Sequence, residues 1–296
     1  MKHVVGSVLV LGAALAGVGW FLSAPGHVDP GALDGIAADV ARGETVFYAG
    51  GCASCHSAPG AEGDAKLVLS GGRRFASDFG TFLAPNISSD PDQGIGDWTA
   101  LELADAMMKG TGPEGQHFYP AFPYTSYARM EVSDIVALHG FLATLPADAT
   151  PSQPHEVGFP FSIRRAVGLW KLLFLRDGWV VDRDDLTDQQ RLGRYLVEGP
   201  GHCGECHTPR NALGALRLDE WLSGAPNPAG RGRIPDITPG GLDWSERDIA
   251  EYLKSGFTPD YDSAGGEMVD VIENMSHLSD DDRLAIAAYL GIVPPT

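Results

Sequence analysis

All four cysteines of this 296-residue chain fall in two pentads, Cys52-Ala-Ser-Cys55-His56 and Cys203-Gly-Glu-Cys206-His207. A Cys-x-x-Cys-His run sets two thiols about one helical turn apart with an imidazole directly after them, which is the attachment pattern of c-type haem. The thiols add across the two vinyl groups, and the histidine takes its place beneath the iron as proximal ligand. A redox dithiol has no use for the histidine, and a four-cysteine zinc site does not explain one after both pairs. The pentads therefore predict two covalent haems c. Cys52, Cys55, Cys203 and Cys206 hold them, and His56 and His207 ligate the irons.

The sequence around the pentads also repeats. "ARGETVFYAGG" leads into the first and "RLGRYLVEGPGH" into the second, each reading as a helix that ends in glycines. Further on, "GDWTALELADAMMKG" matches "LDWSERDIAEYLKSG". Thr99 with Glu102, and Ser245 with Asp248, form capping-box patterns that open these two helices. Each unit closes with a helix ended by proline, carrying apolar residues at helical spacing: Ile135, Leu138 and Leu142, then Leu284, Ala287 and Leu290. Strand patterns are scarce. The expected fold is all-α, with a first haem domain over 35–147, a linker over 148–187 and a second haem domain over 188–296. Within the linker, the apolar run 167–175 reads as a helix packed between the domains, with an interfacial helix as the lesser option.

Before the first domain, residues 4–24 carry no charge, and 21 apolar and small residues are about one hydrocarbon core long. Lys2 precedes the run, and Asp29, Asp34 and Asp39 follow it. That charge order predicts a single-pass anchor in the cytoplasmic membrane with the haem domains in the periplasm. A signal peptide cut after Ala24 is the competing reading of 1–26. A formal charge of −18 argues against a nucleic-acid partner, which demands a basic face, and fits a basic surface on a protein partner.

Each iron needs a sixth ligand to act as a pure electron carrier, and methionine with histidine raises the potential. Of six methionines, Met107 and Met108 align with Leu253 and Lys254 of the repeat and read as packing or surface residues. Met268, in the glycine-flanked "GGEMVDV", is favoured for the second haem over Met275. For the first haem Met130 stands in the loop before the last helix, but it aligns with Leu278. His117, or no protein ligand, remain alternatives. Backbone carbonyls near Pro59 and Pro209 are candidate acceptors for the two ligand histidines. Trp98, Trp244, Arg73, Arg74 and Arg210 are candidates to reach propionates, and His139 reads as structural.

The phrases "YAGGCASCH", "APNISSDPDQGIGDW", "YPAFPYTSY", "GHCGECHTPRNALGA", "PDITP" and "GGEMVDV", in this order, resemble the di-haem c-type cytochromes of bacteria. That group includes the membrane-anchored cytochrome subunits of alcohol, aldehyde and gluconate dehydrogenases. The resemblance covers about residues 40–294. It implies two tandem cytochrome c class I domains that pass electrons from a dehydrogenase or respiratory complex to a downstream cytochrome, oxidase or quinone. It supports Met268. Many relatives carry methionine where this chain has Phe122, while others pair that phenylalanine with a later methionine like Met130. The expected function is electron transfer without substrate chemistry. The alternative is a di-haem enzyme, peroxidase-like or acting on a small inorganic substrate, with an open first haem.

Overall fold

The computed structural model describes residues 12, 14, 17–227 and 232–295. Among the described residues, eleven α-helices from Val40 onward carry the architecture. In the first half they are α1 (Val40–Ala49), α2 (Cys52–His56), α3 (Ala100–Ala104), α4 (Tyr124–Tyr127) and α5 (Val132–Leu142). A connecting helix follows, α6 (Ala166–Phe174). The second half has α7 (Asp188–Glu198), α8 (Gly204–His207), α9 (Glu246–Ser255), α10 (Met268–Met275) and α11 (Asp280–Leu290). Two small antiparallel hairpins interrupt the helical pattern, β1 (Arg74–Ser77) with β2 (Gly80–Leu83) and β3 (Ala225–Pro226) with β4 (Arg233–Ile234).

Each half is built on one helix crossing, α1 on α5 and α7 on α11, and both crossings turn on a glycine. A Cβ at Gly43 would stand 2.1 Å from the Ala137 carbonyl oxygen and 2.8 Å from Cβ of Phe141. One at Gly193 would stand 1.9 Å from the Ala285 carbonyl oxygen and 2.8 Å from Cβ of Tyr289. The two backbones touch because the glycine has no side chain, and an aromatic ring then covers the contact. The first core gathers Phe47, Leu103, Met107, Met130, Ile135, Leu138 and Phe141. Its counterpart gathers Leu196, Trp221, Leu222, Ile249, Met275, Ile286 and Tyr289.

Both expected capping boxes are present, at Thr99 with Glu102 and at Ser245 with Asp248. Two more, Thr187 with Gln190 and Ser279 with Asp282, open α7 and α11. The matched helices differ at their ends. The second runs cleanly to Ser255, whereas the first widens into a π turn over Asp105–Lys109. There the Asp105 carboxylate accepts the Val28 amide at 2.6 Å and meets His27 Nδ1 at 2.7 Å. Gly110 and Gly256, at φ 59° and 77°, end both in left-handed geometry open to glycine.

The apolar run of the connecting segment is a helix, α6, placed one residue earlier than expected. Lys171 is its inward anchor. Its Nζ donates to the carbonyls of Lys109 at 2.7 Å and Gly110 at 2.5 Å, and to His117 Nδ1 at 3.0 Å. Burial draws this ammonium down to about 7. The unfolded chain, at about 10.4, therefore binds more protons above neutrality, and stability rises with pH from about 7 towards 9. Lys171→Met should flatten that rise, by at most about 1.4 kcal/mol per pH unit, in urea melts run across the window.

The expected single-pass helix over 4–24 requires correction. Among the described residues no helix is long and apolar enough to cross a membrane. Residues 1–11, 13, 15 and 16 lie outside the described residues. The end of the run is bound to polar groups of the body. Arg165 donates to the Trp20 carbonyl at 2.6 Å and to Ser23 Oγ at 2.8 Å, and its guanidinium lies 4.2 Å from the Trp20 ring centroid. His117 Nε2 meets the Ser23 carbonyl at 2.9 Å. The hydropathy of the run is real, but its last turn ends on an arginine and a histidine of the folded domain.

Candidate haem-attachment site

Each pentad forms a single helical turn placed by the helix before it. Gly51, at φ 55°, turns the chain from α1 into α2, and the Gly199–Gly201 stretch does the same between α7 and α8. Cys52 packs against the first core and Cys203 against the second. Burial raises Cys52 and Cys203 to about 12 and Cys55 to about 11, so these sulfurs are protonated thiols at neutral pH. That is unlike the thiolate of a redox dithiol. Among the described residues, no group of three or more His, Cys, Asp or Glu side chains is placed to hold a metal ion.

The histidines are held in the same way in both halves. His56 Nδ1 meets the carbonyl of Pro85 at 2.9 Å, and His207 Nδ1 meets that of Pro235 at 2.8 Å. A carbonyl accepts only, so Nδ1 carries the proton and the Nε2 lone pair is free for a metal. Burial lowers both imidazoles below their ordinary range and keeps them neutral. These acceptors differ from the expected carbonyls near Pro59 and Pro209, the second of which accepts the Arg217 amide at 2.8 Å. The cradle itself is repeated. Gly71 and Gly224, at φ 77° and 81°, donate their amides to the His56 and His207 carbonyls at 2.7 and 2.8 Å. Ile87 and Ile237 donate to the carbonyls of Leu69 and Leu222 at 2.9 and 3.0 Å. Two thiols beside an imidazole with a free Nε2 fit a covalently held haem c, and the arrangement occurs twice.

The methionines divide. Met130, 4% exposed, lies in the first core with Cys52 packed against the same cluster. Met107 is also buried there, and Met108 packs against it. Met268 heads α10 and is half-buried, while Met275 at the other end of α10 lies in the second core with Cys203. His117 has both ring nitrogens engaged, Nε2 by Ser23 and Nδ1 by Lys171, which leaves no lone pair for an iron. His139 Nε2 meets the Trp98 carbonyl at 2.7 Å, a structural bond. Arg73 turns to the second half, Arg74 to Glu156 at 2.5 Å and Arg210 to Glu205 at 2.5 Å.

The two attachment loops touch one another. A Cβ at Gly50 would lie 3.7 Å from the Pro200 carbonyl oxygen, and one at Gly201 would lie 3.8 Å from that of Ala49. The carboxylate of Glu205, inside the second pentad, accepts from Thr125 at 2.8 Å and Ser126 at 3.2 Å in the first half. Tyr195 of α7 donates to Asp134 of α5, which also holds Arg42 through two bonds. A cavity of about 430 Å³ flanks this contact, between Arg129, Arg210, Arg217, Trp170 and Trp221.

Residues 40–146 match the family model described as Cytochrome c. A diheme cytochrome c-type protein of Cereibacter sphaeroides is 57% identical over 287 residues, covering 97% of this chain and 95% of the relative. The chain belongs to the cytochrome c family. It is an electron-transfer cytochrome, and the family supports covalently bound haem c at the geometry described. The cytochrome subunit of a fructose dehydrogenase from Gluconobacter japonicus is 38% identical over 264 residues, and that of a gluconate 2-dehydrogenase from Pantoea cypripedii 35% over 264 residues. The matches cover 86% and 85% of this cytochrome but 52% and 58% of those relatives, so it spans about half their length. Both relatives are named as cytochrome subunits of dehydrogenases.

Proposed function

We propose that this cytochrome carries two haems c, one in each of the domains 35–147 and 188–296 joined by 148–187, and relays single electrons from a dehydrogenase to a downstream acceptor. The observation that carries the reading is the repeated histidine cradle, His56 on Pro85 and His207 on Pro235, with the two attachment loops in contact. Cys52, Cys55, Cys203 and Cys206 hold the groups as thioethers, and His56 and His207 ligate the irons. Met130 and Met268 complete them. A haem c held in this way supplies a one-electron iron couple. The chain fixes each imidazole by its Nδ1–H, packs the first cysteine of each pentad against its own core and sets the two attachment peptides side by side. The dehydrogenase donor rests on the names of the relatives and on the net charge of −18, which suits a basic docking face.

The test is a redox titration of the haem-loaded protein with spectra of the reduced form before and after carbon monoxide. Two reversible one-electron steps in the positive range of His/Met ligation, with no spectral response to carbon monoxide, are expected. A response in half the haem would favour the di-haem enzyme with an open first site.

A further inference from the structure

The second half's α10 carries Met268 at one end and Met275 at the other, so it holds both candidate sixth ligands of the second haem. It also carries Asp270 and Glu273, with Glu267 immediately before it and no basic residue. These three acids do not face solvent alone. They meet two cations of the first half. Arg73 Nη1 donates to Asp270 Oδ2 at 3.0 Å, and Arg73 Nη2 lies 3.5 Å from Glu267 Oε2. Lys66 Nζ lies 2.5 Å from Glu273 Oε2 and 3.8 Å from Asp270 Oδ1.

The same arginine reaches the first attachment peptide. Arg73 Nη1 donates to the carbonyl of Ser54, which lies between Cys52 and Cys55. Ser54 is tied to α10 a second time, because Asn274 Nδ2 donates to Ser54 Oγ at 2.8 Å. Asn274 is buried, and its amide also donates to the Asp270 carbonyl at 2.6 Å.

We infer that Arg73 is a positioning residue for the second haem: it latches the methionine-bearing helix α10 to the first haem's attachment peptide. The inference rests on the di-haem reading above and adds a coupling between its two sites. Arg73 touches neither haem ligand directly. It acts through Asp270 and Ser54, so a change at the first pentad is felt by the helix that closes the second iron. Each ion pair is partly exposed and worth little singly, but five charges and one buried amide converge on about two turns of one helix.

The experiment uses the full haem-loaded chain with Arg73→Gln, Asp270→Asn and the pair combined. Carbon monoxide reactivity and the methionine-to-iron charge-transfer band are read, beside the midpoint potentials. Arg73→Gln should make part of one haem carbon monoxide-reactive, where the unaltered chain shows no response, and lower its potential, with the other haem unchanged. Asp270→Asn should do the same, and the double variant should be no worse than either single one. Arg73→Lys should restore part of the effect. Met268→Ala and Met275→Ala establish separately which methionine closes the second iron. If one of them opens that haem while Arg73→Gln leaves it closed, the latch is wrong. If neither opens it, the ligand reading fails, and the latch is decided by amide exchange in α10. Faster exchange at Ile272–Met275 in Arg73→Gln supports it, and unchanged exchange overturns it whatever the iron carries.

Discussion

Replacing Cys52 and Cys55 together by alanine should leave a chain with one covalent haem where the unaltered protein has two. Mass measurement after acidified-solvent extraction should show the loss of one haem mass, and the pyridine haemochrome should fall by about half. The reason lies in the division of labour within each pentad. The His56 imidazole stays on Pro85 with Nε2 free, so the altered site keeps its iron ligand but loses both thioethers. Any haem it retains is then extractable. Cys203 packs against the other core, and the second pentad is untouched by the change, so the second group should remain attached. The mirror variant should behave alike, with the surviving haem now in the first half. Two covalent haems persisting in either variant would contradict the assignment of the pentads. Loss of both from one variant would show that the touching loops mature as one unit.

How much of this was legible in the sequence depends on where each partner sits. The pentads are local, so five residues name the chemistry. The capping boxes at Thr99 and Ser245 are local too, and both were found where their spacing put them. The acceptors of His56 and His207 are not. Pro85 and Pro235 lie 29 and 28 residues downstream, and they act through backbone carbonyls that carry no side-chain signature. A signal existed: "APNIS" and "PDITP" stand at matching places in the repeat, and each places an isoleucine two residues after the proline. Proximity alone pointed instead to Pro59 and Pro209.

Contacts between the halves were invisible for a different reason. Glu205 reads as the variable residue of a pentad, yet its carboxylate is held by Thr125 and Ser126. Arg73 read as a propionate partner and instead joins Ser54 to Asp270. Repeat alignment compares the two halves but does not dock them. The hydropathy of 4–24 failed in the same way, because a window over that run does not register Arg165 waiting 142 residues later to bind Ser23. His117 was a candidate ligand while its surroundings were unknown. Ser23 and Lys171, both distant in sequence, consume its nitrogens.

Gly43→Ala and Gly193→Ala should each be strongly destabilising, costing about 1–3 kcal/mol and more for larger side chains. At both sites the added Cβ falls near 2 Å from a carbonyl oxygen of the crossing helix, at 2.1 Å for Ala137 and 1.9 Å for Ala285. Backbone cannot rotate away as a side chain can, so the helices must separate, and Phe141 or Tyr289 loses its seat over the glycine. An alanine at Gly178, where nothing lies within 4 Å, should stay within about 0.5 kcal/mol and serves as the control. Melting of the haem-loaded variants measures the difference. The consequence for function follows from what each crossing supports. The helix that carries Gly43 ends at Ala49, three residues before Cys52, and the one that carries Gly193 ends at Glu198, just ahead of the loop into Cys203. A shifted crossing therefore displaces its own attachment turn first. Gly43→Ala should lower incorporation of the first haem, and Gly193→Ala that of the second. Equal loss at both sites from either substitution would mean instead that the bonds between the halves, from Asp134 to Tyr195 and from Thr125 to Glu205, make the two crossings one cooperative unit.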